Sequence, residues 1–115
     1  MVQPFAEVLA RLRSPACGTC RHEVGTAWFL DEAEYDRLGS LFDEAVAEFT
    51  SSDGPPLDPV PRFPGLDVER AACWRRGEAV LYVVLSWGDN TRCRSLTLGL
   101  ARRGTVVAGC WGSDA

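Results

Sequence analysis

Residues 66–111 leave this chain few ways to fold. Four runs there are rich in β-branched, aromatic and leucine residues: 66–74, 79–87, 93–101 and 105–111. Between them lie Arg75-Arg76-Gly77, Gly88-Asp89-Asn90-Thr91 and Arg102-Arg103-Gly104. Short apolar strands divided by Gly, Asn and Asp turns make an antiparallel meander of hairpins. A two-residue primed turn placed on either Arg-Arg pair would force an arginine into positive φ. A three-residue loop with Gly in the left-handed position avoids that, and is expected at both Arg-Arg-Gly segments. The resulting register puts Ala71, Cys73, Leu81, Val83, Leu85, Leu96, Leu98 and Leu100 on one face, with Cys110 joining them. The opposite face would carry Trp74, Val80, Tyr82, Val84, Thr97, Val107 and Trp111. A sheet covered on one side should be polar on the other. This second face is apolar and aromatic, so it needs a cover, from the chain itself or from a partner.

The residues before 66 supply helices for the first face. Asp31 is a good N-cap, with Glu34 three residues on in a capping-box arrangement. From there Tyr35, Leu38, Leu41, Phe42, Ala45, Val46 and Phe49 form one apolar stripe, which predicts an amphipathic helix over 31–50 on the leucine face. Gly39 within it points to close packing or a bend. Phe5, Val8, Leu9 and Leu12 predict a shorter helix over 4–13, begun by Pro4 and stopped by Ser14-Pro15. Residues 23–30 alternate through Val24, Thr26, Trp28 and Leu30, the pattern of an extra edge strand. Five prolines make 51–65 a stiff linker within a single domain spanning 1–115. The expected fold class is therefore α+β, a four-stranded antiparallel meander packed against the 31–50 helix.

Charge is unevenly spread. The formal net charge is −4, and all twelve basic residues are arginine. Residues 1–65 hold eleven acids against five arginines, and residues 66–115 hold five against seven. An acidic chain of this kind is a poor nucleic-acid binder. Its start has no basic segment leading an apolar one, and no apolar run is long enough to cross a membrane, so a cytoplasmic location is expected. On the 31–50 helix, Asp43, Glu44 and Glu48 lie in the half where the helix dipole disfavours acids. Helix stability does not account for them, which leaves a solvated face or a contact with a basic partner. Arg75, Arg76, Arg102 and Arg103 are expected to gather at one end of the meander, as solvated turn residues, as partners for acids of the helical half, or as a holder for an anion.

Cys17-x-x-Cys20-x-His22 is the sharpest local motif. Two thiolates and an imidazole at this spacing can share a zinc ion, although a structural site needs a fourth ligand and the chain has no second Cys-x-x-Cys pair. Cys-Gly-Thr-Cys also has the loop form of thioredoxin-like redox sites. Those sites open a helix at the first cysteine, whereas here a helix ends just before it. Ordinary reduced thiols are the simplest reading, with no cofactor. Cys73 and Cys110 suit buried positions. His22 is the chain's one histidine, and no nucleophile elbow, phosphate loop or His-Glu-x-x-His frames it.

These features favour a small acidic, non-enzymatic binding module. It would meet another protein, or itself as a homodimer, through the second sheet face (Trp74, Tyr82, Val84, Val107, Trp111) and the acidic helix face (Asp43, Glu44, Glu48). Small acidic α+β proteins that neutralise a basic toxin are similar in outline, which makes an immunity- or inhibitor-like role one form of this reading. The competing reading is a small-molecule site walled by Trp74, Tyr82 and Trp111 with an arginine anchor, or a thiol or metal site at Cys17, Cys20 and His22.

Overall fold

Two helices and a four-stranded antiparallel sheet make up the fold, seen in a computed structural model that describes residues 4–14, 20–58, 63, 67–88 and 92–102. Helix α1 spans Phe5–Arg13, strand β1 Cys20–Trp28, helix α2 Glu32–Asp53, and strands β2, β3 and β4 Asp67–Arg76, Ala79–Gly88 and Cys93–Arg102. The sheet order is β1-β4-β3-β2. Thus β2, β3 and β4 are three strands of the expected four-stranded meander, and the edge strand expected over 23–30 runs instead over Cys20–Trp28, beside β4. The run at 105–111 lies outside the described residues. The flank of β4 that it would occupy in a hairpin is taken by β1, paired from Cys20↔Leu100 to Trp28↔Cys93.

Both helices follow their sequence signals. The Asp31 side chain accepts from the Glu34 N–H at 3.5 Å, and Leu38, Phe42, Ala45 and Phe49 are buried beneath α2. Helix α2 runs three residues beyond the expected end, taking the first part of the proposed linker, and stops at Gly54. Val8, Leu9 and Leu12 bury the apolar stripe of α1. One core joins these residues to Leu81, Val83 and Leu85 of β3 and Leu96, Leu98 and Leu100 of β4.

The β2–β3 turn differs from expectation, with consequences for the whole of β2. Arg76 pairs with Ala79, so the loop is Gly77-Glu78, two residues long. Gly77 has φ 63° and takes the left-handed position without an arginine entering it. The steric objection to a two-residue turn disappears once the loop moves one residue along the chain. An odd shift of register exchanges the faces of a strand. Ala72 and Trp74 therefore join the helix-side core, while Ala71 and Cys73 turn to the other face. The β3–β4 register, with Leu85 opposite Leu96, keeps the expected faces.

A bulge reshapes β1. The register slips between Glu23 and Gly25, leaving Val24 as an extra residue. Val24 is buried in the helix-side core. A Cβ on Gly25 would meet Leu38 Cδ2, so α2 reaches β1 at this point because the residue is glycine. Past the bulge, Thr26 and Trp28 turn to the face away from the helices, opposite Ser95 and Cys93.

Candidate interaction site

The second sheet face is apolar as the sequence implies, but it is covered. Tyr82 and Val84 are fully buried there, with Cys73, Val80 and Ala101 around them. Among the described residues the cover comes from the proline-rich segment. The Leu57 N–H bonds the Cys73 carbonyl at 2.7 Å along the outer edge of β2, and Phe63 lies edge-on to Tyr82 with ring centroids 6.1 Å apart. Trp74 was expected on this face and is not there. It is 1% exposed on the helix side, with its ring edge-on to Phe49 at 5.4 Å. The proposed ligand pocket between Trp74 and Tyr82 therefore does not form, since the sheet itself separates the two rings. Val107 and Trp111 lie outside the described residues.

Two of the three acids expected to meet a partner, Asp43 and Glu48, are engaged within the chain. Asp43 bonds Arg70 of β2 at 2.5 Å, and the Arg70 guanidinium sits 4.4 Å from the centre of the Phe42 ring. Glu48 pairs with Arg13 of α1 at 3.2 Å. Asp53 at the end of α2 accepts two bonds from Arg76, at 2.9 and 3.0 Å, and Arg76 also donates to the Leu12 carbonyl. The Arg76 hydrogen bond holds the Asp53 carboxyl below the usual carboxylate range. Glu44 is exposed and makes no ion pair among the described residues. The acids in the unfavourable half of α2 thus have a structural use, since Asp43 and Glu48 tie the helix to β2 and α1. Of the four turn arginines, Arg76 pairs with Asp53, an acid of the helical half, and Arg75 is exposed, while the Arg102 side chain is not among those described. Arg103 lies outside the described residues.

Arg94 makes the most enclosed charge pair. It donates to both oxygens of Glu69, at 2.9 and 2.7 Å, and to the Tyr35 carbonyl at 2.6 Å. Its guanidinium stacks 4.5 Å from the Tyr35 ring centre. Gly39 of α2 lies directly above, where an added Cβ would stand 3.5 Å from Arg94 Nη1. Every nitrogen of this guanidinium has a partner, which describes a clamp joining α2, β4 and β2 rather than a vacant anion site.

Cys20 and His22 sit two residues apart on one face of β1, opposite Leu100 and Leu98. That face is the helix side. Cys20 is half-buried against the core, and His22 is buried. Burial, and then the nearby positive charge of Arg11, lower the His22 pKa from its ordinary value. Cys17 lies outside the described residues. Among the described residues no three His, Cys, Asp or Glu side chains are grouped to hold a metal ion.

Sequence reasoning missed the surface that is exposed. Trp28 is 52% exposed, Phe29 47% and Leu30 80%. They form the turn from β1 into α2, closed by the Phe29 N–H on the Arg92 carbonyl at 2.8 Å and the Asp31 N–H on the Trp28 carbonyl at 2.9 Å. Leu30 precedes the N-cap, where an apolar residue commonly folds back on the fourth helical residue. That residue is Tyr35, and its ring faces Trp87 and Arg94 instead. The signal was three consecutive large apolar residues ahead of an N-cap, hidden by their apparent strand alternation. Together they expose on the order of 300 Å² of apolar surface at one end of the sheet.

No protein family, curated protein or solved structure matches the chain.

Proposed function

We propose that the chain is a non-enzymatic protein-binding module whose contact surface is the turn carrying Trp28, Phe29 and Leu30. The observation behind this reading is the contiguous exposure of those three side chains on a backbone fixed by two hydrogen bonds. Large apolar residues scattered singly on a surface need no explanation, but three in succession on an ordered turn are typical of a contact site. The neighbouring start of α2, with Asp31, Glu32, Glu34 and Asp36 against Arg37, gives the patch an acidic border. An immunity- or inhibitor-like role, with a basic partner, is the form of this reading that uses that border.

Leu30→Glu is the test. The side chain is exposed, so the substitution should leave stability within about 0.5 kcal/mol. Proteins retained by the wild-type chain but not by the variant would be purified and titrated against both. A central apolar contact contributes about 2 kcal/mol, so the variant should bind roughly 30-fold more weakly. Equal affinity for both forms would remove this turn as the contact surface.

A further inference from the structure

Resting on the reading above, we infer that this surface meets a second copy of the chain, by antiparallel pairing of β1 with itself about a two-fold axis near Ala27. Strand β1 is the outermost strand beyond β4, and among the described residues nothing is strand-paired to its outer side. In an antiparallel ladder successive residues point their backbone groups alternately toward and away from the partner. The Phe29 N–H bonds the Arg92 carbonyl, so Phe29 and Ala27 face β4, and the N–H groups of Thr26 and Trp28 point outward.

A two-fold axis perpendicular to the sheet at Ala27 sets Thr26 opposite Trp28 of the second copy. Both residues lie on the face away from the helices. That is the parity an antiparallel pair needs. The Thr26 N–H would donate to the Trp28 carbonyl of the second copy, and the Trp28 N–H to its Thr26 carbonyl, with the same two bonds repeated by symmetry. The axis lays each apolar turn along residues 24–26 of the second copy, with Phe29 alongside Gly25, and makes the two Trp28 residues diagonal neighbours on one face.

Three features favour a second copy as the occupant. The same strip supplies donors and acceptors in one register, which is what an isologous contact requires. Residues 24–30 carry no charge, so two chains of net charge −4 can approach there without like charges meeting in the strip. Charged residues and a bulge protect the first half of β1, at Arg21, Glu23 and Val24, whereas residues 25–28 carry neither charge nor proline. The bulge at Val24 limits the pairing to a short strip. The apolar turn provides roughly 300 Å² per chain against about 800 Å² for a standard interface, so the dimer should be weak, with a Kd in the micromolar range.

Sedimentation velocity on the full chain between about 1 and 200 μM tests this. The wild type should move from 12.6 kDa toward twice that mass. Thr26→Pro removes an outward N–H and leaves the β4 ladder bonds in place. Both it and Leu30→Glu should stay monomeric, with circular dichroism confirming the fold; should Thr26→Pro not fold, Leu30→Glu decides. A wild type that remains at 12.6 kDa throughout, or variants that dimerise as it does, would overturn the inference. If the wild type stays monomeric yet Leu30→Glu weakens a purified heterologous partner, self-pairing fails and the binding reading survives. If neither effect appears, both fail.

Discussion

Glu69→Ala should be among the most damaging single substitutions on this sheet. It leaves Arg94 in place with a side chain only 12% exposed, and removes both hydrogen bonds to Glu69. Hydrogen bonds to charged groups contribute about 1.5–3 kcal/mol each, and breaking a buried ion pair from one side costs about 3–5 kcal/mol. Glu69 is itself 20% exposed and Arg94 keeps its bond to the Tyr35 carbonyl, so water and that carbonyl recover part of the loss. The expected cost is about 3 kcal/mol, or roughly 12 °C in Tm for a domain of this size. Arg94→Met in the same chain removes the stranded charge and nearly keeps the volume. The double variant should therefore be less destabilised than the single losses added together, by about 2 kcal/mol. Urea unfolding followed by circular dichroism and tryptophan fluorescence gives all four corners of the cycle. A Glu69→Ala chain within about 0.5 kcal/mol of wild type, or a cycle that adds without coupling, would refute the account of this pair as a clamp.

Other substitutions and conditions probe the remaining contacts. Phe63→Ala uncovers Tyr82 and should cost about 3 kcal/mol in urea unfolding, with little change in the helix-side core. Gly25→Ala drives a methyl group into Leu38 beneath α2 and should cost about 1–3 kcal/mol in the same assay. His22 has a lowered pKa in the folded chain, so below about pH 6.5 the unfolded chain takes up a proton that the fold resists. Stability should therefore fall as pH drops from about 6.5 through the lowered folded value, and His22→Gln should flatten that slope in denaturant titrations at stepped pH. Burial pushes the Cys73 thiol up to about 12, so at about pH 8 it should resist alkylation until the chain unfolds; mass spectrometry of the labelled native protein would show it unmodified.

The local signals in the chain were strong where the chemistry is local. Asp31 caps α2 because a carboxylate there satisfies a bare helix N–H, and the stripe from Leu38 to Phe49 can face only one way on a helix. The hairpin between β2 and β3 was legible for the same reason, since Gly77 announces a turn. Its register was not. Two-residue and three-residue loops differ by a single residue, yet they send Trp74 to opposite sides of the sheet. Packing against Phe49 favours one of them, and Phe49 is 25 residues away in sequence.

Residue pattern alone specifies an α+β fold: two amphipathic helices, an antiparallel meander, an edge strand before α2, and a second sheet face too apolar to be left in water. Tertiary structure decided what that face meets, which acids are engaged, and which apolar residues remain outside. Phe63 covers Tyr82, Arg70 and Arg76 engage Asp43 and Asp53, and the bulge at Val24 sends Trp28 away from the helices. Periodicity reports which side of an element is apolar. What covers that side depends on contacts between residues distant along the chain, and only the folded arrangement brings those together.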